Sequence, residues 1–194
     1  ARDVIQWLSE QDWCSGNVGM MGISWGGFNG LQVAAMDPPA LKAVVTLCST
    51  VDRYADDIHY KGGCLLGSNF SWASQMLSYS SRPPDPALVG NQNWLDVWKH
   101  RLENLPWLWN PWHEHQHRDE YWKHGSVCED YSSIKAAVLS LGGWHDGYRN
   151  TVAHLLENLE PPVKGIVGPW IHKYPHYAGP KPAIGFLQET KRWW

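Results

Sequence analysis

The sequence predicts an α/β chain, a mainly parallel sheet with flanking helices, interrupted by a long helical insertion. Short apolar runs bounded by turn residues alternate with stretches of helical spacing, the pattern of strands joined by crossover helices. That alternation stops between residues 51 and 130 and then resumes. With 194 residues, 43% of them hydrophobic and 18% charged, the chain has the composition of a globular protein and the length to bury a core.

Residues 1–12 place Val4, Ile5, Trp7 and Leu8 on one side of a helix. Gly16-Asn17 then reads as a turn. Val18–Ile23 is a short apolar run suited to a buried parallel strand. Helical spacing returns over Phe28–Met36 and ends at Asp37-Pro38-Pro39, because proline lacks the N–H a helix needs. Leu41–Ser49 is a second, β-branched strand. From Val51 to Asp130 strand runs vanish, and the helical stretches SWASQMLSY and NQNWLDVWKHRLENL flank the breaker SRPPDPA. Ile134–Trp144 and Val163–Trp170 supply two further strands, with a helix over Gly147–Leu159 between them and a last helix within Ala183–Trp194. The expected division is a partial α/β core at 1–50 and 131–194 and a helical cap at 51–130. Ala1 is not an initiator methionine and both ends read as mid-helix, so a piece of a longer protein is expected.

Charge and cysteine content exclude several partners. The formal net charge is −3 with no basic run, whereas phosphate binding needs clustered Lys and Arg, so nucleic acid is not expected. No apolar run reaches the roughly 18 residues that would span a bilayer, so no membrane partner is expected. Cys14, Cys48, Cys64 and Cys128 show neither CxxC nor metal-type spacing and read as buried free thiols, which favours a reducing cytoplasm. The 14 tryptophans should mostly pack cores, a minority lining an apolar ligand pocket.

Gly22-Ile23-Ser24-Trp25-Gly26 is a G-x-S-x-G with a strand before it and a helix after it. In a nucleophile elbow the serine sits on a sharp, strained turn, and small neighbours keep side chains from colliding around it. The following helix aims its first N–H groups at developing negative charge. A glycine-rich turn can also exist only for close packing, so the serine needs partners. A base and an orienting carboxylate would complete it, in the chain order Ser, Asp or Glu, His of α/β-hydrolases. Asp146 directly follows the strand AAVLSL, and His172 follows GIV, where open α/β sheets build their sites. His145 precedes the last strand, Asp130 precedes its strand rather than following it, and His176 is a weaker substitute for His172.

The segments GMMGISWGG, GGWHDG, GPWIHKYPH and FLQETKRWW closely resemble the CocE/NonD hydrolases, the family of cocaine-esterase-like, α-amino-acid ester hydrolase and Xaa-Pro dipeptidyl-peptidase-type catalytic domains. CSTVDRYADDIHYKGGCLLG is similar to that family's entry into its helical cap. The resemblance implies an α/β-hydrolase domain cleaving esters, amides or short peptides through an acyl-serine, without cofactor or metal. On it Ser24 matches the nucleophile, Asp146 the acid, His172 the base, and the Trp25 backbone N–H one oxyanion donor. It also implies a second oxyanion donor, a tyrosine hydroxyl on an earlier loop, and a C-terminal jelly roll, neither of which matches a part of this sequence. A Xaa-Pro dipeptidyl-peptidase and a non-catalytic binding module are the alternatives. A haloalkane-type mechanism is disfavoured by a serine, not an aspartate, at the elbow.

His113, His115 and His117 alternate, and on a helix i and i+2 do not share a face, so a solvated face is expected rather than a metal site. Asp52, Asp56 and Asp57 are expected at the surface or as helix caps. Relatives that cleave α-amino esters hold the substrate ammonium with carboxylates, to which Asp56 or Asp57 could contribute. Losing one oxyanion donor costs other hydrolases on the order of 10²–10³ in turnover. The 194 residues alone should therefore be poorly soluble or nearly inactive, and a soluble, fully active preparation of them would overturn this expectation.

Overall fold

The computed structural model describes residues 1–194 and turns the four apolar runs into one parallel sheet. The first half holds helix α1 (Arg2–Ser9), strand β1 (Val18–Ile23), helix α2 (Trp25–Ala34) and strand β2 (Leu41–Leu47). A hairpin of β3 (Tyr60–Lys61) and β4 (Cys64–Leu65) follows. Five helices come next: α3 (Gly67–Ser80), α4 (Pro86–Val89), α5 (Trp94–Glu103), α6 (Trp109–Glu114) and α7 (Glu120–His124). The chain then re-enters the sheet through β5 (Ala137–Gly143), α8 (Thr151–Asn158), β6 (Val163–Gly168) and α9 (Phe186–Trp193).

The sheet order is β1-β2-β5-β6, every pair parallel. Ile23, Leu47, Leu141 and Ile166 lie side by side in register; β1 and β2 end there, and β5 and β6 continue together for two more residues. Successive strand residues point to opposite faces, and both faces are buried, as a parallel sheet requires. Val44 and Val138 face one way, packing with Ile5, Leu31 and Leu155 from α1, α2 and α8. Val45, Leu139 and Leu141 face the other way, toward Phe186 of α9.

Two glycines fix the loop after β6. A Cβ at Gly143 would lie 1.9 Å from the Trp170 carbonyl oxygen, and one at Gly168 would lie 2.5 Å from the Trp170 ring. With side chains absent at both positions, the loop after β6 folds against the end of β5. The N–H groups of Trp144 and His145 donate to the carbonyls of Gly168 and Trp170, at 2.8 and 3.1 Å.

Residues 51–130 depart from the sequence expectation in one respect: the β3–β4 hairpin turns on Gly62 and Gly63, both at positive φ, in a stretch read as strand-free. Four-residue pairing is too short to leave a period-2 pattern. The helices there gather around an aromatic core of Tyr60, Trp112 and Trp122, with Tyr54, Trp72 and Trp109 packed against it. His59 is fully buried between the rings of Trp112 and Trp122, 4.6 Å from each, and shares a 2.7 Å hydrogen bond with Asn69. Burial pushes its imidazole down to about 4, the nearby Asp57 carboxylate opposing that shift, so it is neutral at pH 7.

Three other expectations need correction. Of the residues placed on one side of the first helix, only Ile5 is buried; Val4 and Trp7 are each 56% exposed. Helix α2 begins at Trp25 rather than Phe28, directly at the elbow. Among the cysteines, all free, Cys48 alone is buried, Cys64 being exposed on the hairpin.

Gly143→Ala should destabilise the protein by several kcal/mol, on the order of 2–4, because a rigid backbone carbonyl occupies the space. Gly147→Ala, where nothing lies within 4 Å, should change stability by less than about 1 kcal/mol. Urea unfolding of the two variants measures both, and equal midpoints would refute the packing account.

Candidate active site

Ser24 joins β1 to α2 with φ 59 and ψ −124, a conformation a non-glycine residue keeps only when its surroundings hold it. Its N–H donates to the Leu47 carbonyl at 2.9 Å, and its own carbonyl accepts from Gly27 and Phe28 N–H at 2.9 and 3.0 Å. The tight approach falls on particular glycines. A Cβ at Gly22 would lie 2.3 Å from the Gly26 carbonyl carbon, and one at Gly27 would meet the Leu47 carbonyl at 2.9 Å. Gly26 itself has open space around its Cβ direction. The expectation that both motif glycines relieve side-chain collisions is therefore corrected: Gly22 does, while Gly26 contributes backbone that Gly22 must clear. Trp25 opens the helix, so its N–H has no intrahelical acceptor.

Asp146 follows β5 and is buried, 3% exposed. His172 follows β6 and is partly exposed, with Nδ1 lying 3.0 and 3.1 Å from the two Asp146 carboxylate oxygens. With Nδ1 committed to the carboxylate, Nε2 is the ring nitrogen left for a substrate or nucleophile. Burial alone would raise the Asp146 pKa. Hydrogen bonds from His172 and Cys48, the histidine's charge and the Tyr148 N–H outweigh it and hold the carboxyl below its ordinary value.

Ser24, Trp25, Asp146 and His172 open on one cavity of about 470 Å³. Ile58, Leu66 and Trp72 form its apolar wall, and the Trp72 ring meets Trp25 edge-on at 5.5 Å. The polar side is organised by Asp57, which is buried rather than on the surface as expected. Its carboxylate pairs with Arg53 and accepts a 2.8 Å hydrogen bond from the Tyr148 hydroxyl. Arg53 in turn lies over the Phe28 ring at 4.0 Å. Tyr148 also donates its N–H to Asp146 at 3.2 Å, and its ring centre is 5.5 Å from that of His172. Burial and the Asp57 carboxylate push the Tyr148 phenol well up, so it stays a donor. Lys61, also on the cavity, pairs with Asp56 at 3.4 Å and donates to the Gly147 carbonyl at 2.9 Å.

The competing candidates sit elsewhere. The His145 ring bonds the Pro169 carbonyl, His176 stacks on Phe186, and Asp130 caps the turn at Ser132. Asp52 accepts from the N–H groups of Tyr54 and Ala55, so it caps a turn rather than a helix. The alternating histidines do not share a helix face, because α6 ends at Glu114. His113 stacks on Trp109, while His115 pairs with Asp119 and stacks on Tyr121. Tyr148 was not singled out from sequence, although its place two residues beyond Asp146 was a usable signal. Cys48, Lys61 and Trp72 carried no such signal.

The sequence pattern of the X-Pro dipeptidyl-peptidase (S15 family) matches residues 1–174, a range that holds Ser24, Asp146 and His172. The cocaine esterase of Rhodococcus sp. (strain MB1 Bresler) is 28% identical over 196 residues, covering 89% of this chain and 34% of the esterase. A CocE/NonD family hydrolase from Staphylococcus aureus superposes with a TM-score of 0.72 at 22% identity, over 99% of this chain and 31% of that one. An α-amino acid ester hydrolase superposes with a TM-score of 0.60 at 25% identity, over 91% of this chain and 32% of that one. The chain thus spans about a third of the length of each of these relatives, and the fold they share with it is that of α/β-hydrolases.

Two outcomes follow from this geometry. Gly22→Ala should abolish soluble expression or cost several kcal/mol, on the order of 3 or more, whereas Gly26→Ala should fold; comparing their urea midpoints decides. A carboxylate with a depressed folded pKa stabilises above its unfolded pKa, and that contribution disappears as pH falls through the folded value. Stability of the wild type should therefore drop more steeply than that of Asp146→Asn as pH falls below the ordinary 3.8. Parallel acid limbs in thermal melts would contradict the assignment.

Proposed function

We propose, since this chain belongs to the X-Pro dipeptidyl-peptidase (S15) family, that it carries the catalytic residues of a serine hydrolase cleaving esters or amides through an acyl-serine. The observation that carries this reading is the meeting, on one 470 Å³ cavity, of a serine at positive φ and a histidine held by a buried aspartate. In the proposed reaction His172 Nε2 takes the Ser24 proton as the hydroxyl attacks the acyl carbonyl. Asp146 keeps the imidazole in the needed tautomer and stabilises its charged form. The Trp25 N–H, at the start of α2, donates to the developing oxyanion. Protonation of the leaving group by His172 gives the acyl-serine, and water activated by the same ring releases the acid. The segment 51–130 acts as a cap whose Leu66 and Trp72 exclude water from the acyl group.

The family description favours a second reading, release of N-terminal Xaa-Pro dipeptides. Such a substrate brings a free ammonium, which needs an uncommitted carboxylate. Asp57, a buried carboxylate on the cavity, is already paired with Arg53 and bonded by Tyr148, and Lys61 adds positive charge to the same cavity. Those contacts support an ester or amide with an uncharged acyl group as the first choice.

Fluorophosphonate labelling and aryl-ester turnover should both be present in the full-length protein and lost in Ser24→Ala, with kcat falling on the order of 10⁴-fold or more. Faster cleavage of a Xaa-Pro-anilide than of aryl esters would move the assignment to the peptidase. A folded protein that takes no label would leave only a binding module.

A further inference from the structure

Cys48 has no part in the acyl transfer described above, yet the fold holds it against two residues that do. It lies just past β2 with φ 46, and its N–H donates to the Leu141 carbonyl of β5 at 2.9 Å. Its side chain is buried, and its Sγ, a carboxylate oxygen of Asp146 and a ring nitrogen of His172 all lie within 4.8 Å of one another. The three residues follow three adjacent, in-register strands, β2, β5 and β6, so the grouping is set by the sheet rather than by one loop.

The donor set is chemically specific. A sulfur, an imidazole nitrogen and a carboxylate oxygen suit a borderline-soft divalent ion, and three protein ligands with a fourth position open is the arrangement of accessible zinc sites. A tetrahedral zinc with bonds of about 2.0–2.3 Å sets its donors roughly 3.3–3.8 Å apart, so small side-chain rotations from the present separations suffice. Asp146 and His172 both line the cavity, so two of the three donors face it. Magnesium and calcium prefer all-oxygen shells and do not fit a thiol.

We propose that Cys48, Asp146 and His172 form an inhibitory Zn²⁺ site. On binding, the Cys48 thiol loses its proton to the buffer and its sulfur coordinates the ion; the imidazole proton moves from Nδ1 to Nε2, so that the freed Nδ1 lone pair and a carboxylate lone pair of Asp146 coordinate as well, and no electron transfer is involved. The His172–Asp146 pair is then unavailable as a base. The consequence for turnover rests on the serine-hydrolase reading, whereas the coordination does not.

Two measurements on the full-length protein test it. The first is absorption after adding Co²⁺ as a spectroscopic substitute for zinc. The wild type should develop a sulfur-to-cobalt charge-transfer band that zinc displaces, and absence of the band in folded wild type overturns the site without any variant. The second is ester turnover against added Zn²⁺ or Mg²⁺, each protein being scaled to its own metal-free rate. Zinc should inhibit, chelator should restore activity and magnesium should have no effect. Cys48→Ser and Cys48→Ala should each raise the half-inhibiting zinc concentration by at least about tenfold. Equal zinc sensitivity in wild type and both variants, or equal inhibition by magnesium, overturns the proposal. A cobalt–thiolate band in a protein without esterase activity would uphold the site and defeat the serine-hydrolase reading.

Discussion

The parallel pairing of β2 with β5 is the constraint on which the rest of the structure depends. These strands are separated by the whole of the segment containing α3 to α7, yet Ala43 to Leu47 sit in register with Ala137 to Leu141. Because the cost of closing a loop grows only with the logarithm of its length, doubling the intervening chain adds merely about 0.6 kcal/mol. A long insertion is therefore compatible with strand pairing that a fully buried Val44, Val45, Val138 and Leu139 stabilise from both faces. Without that register Asp146 would not reach the edge on which Ser24 stands.

In-register parallel strands then convert sequence separation into proximity. Ser24, Cys48, Asp146 and His172 each follow a different strand and all lie beyond the same edge of the sheet. Glycine sharpens this arrangement at two places. Gly22 lets the chain reverse close to Gly26, and Gly143 and Gly168 let the Trp170 loop lie against β5, which brings His172 to Asp146. In both cases backbone occupies the volume a side chain would need, so these positions restrict identity more strongly than ordinary core packing does.

The segment between β2 and β5 is joined to the site by polar contacts as well as by aromatic packing. The partly buried Arg53 pairs with the buried Asp57, Tyr148 bonds Asp57 through its hydroxyl and Asp146 through its backbone, and Lys61 reaches the Gly147 carbonyl. A buried pair of opposite charges is expensive to break on one side because the remaining charge is left without compensation. The loop bearing Asp146 is thus tied to the segment that walls the cavity. Neutral His59, enclosed by Trp112 and Trp122, adds no charge to that network at pH 7.

The sequence by itself determined the parallel sheet and its four strands, since apolar runs bounded by glycine and proline report local structure directly. It also pointed to Ser24, Asp146 and His172, because each stands immediately past a strand in the order the elbow motif demands, and the structure brings Asp146 and His172 into contact on the cavity that Ser24 lines. What it misplaced depends on partners remote in the chain. Asp57 looked like a surface carboxylate until Tyr148 and Arg53 enclosed it, the β3–β4 hairpin was too short to show periodicity, and Trp7 fell on an apparently apolar helix face yet stays exposed. Cys48 carried no spacing signal at all. Its place beside Asp146 and His172 was decided only by the tertiary structure, because the register of three parallel strands, not any local pattern, sets which strand-end side chains meet.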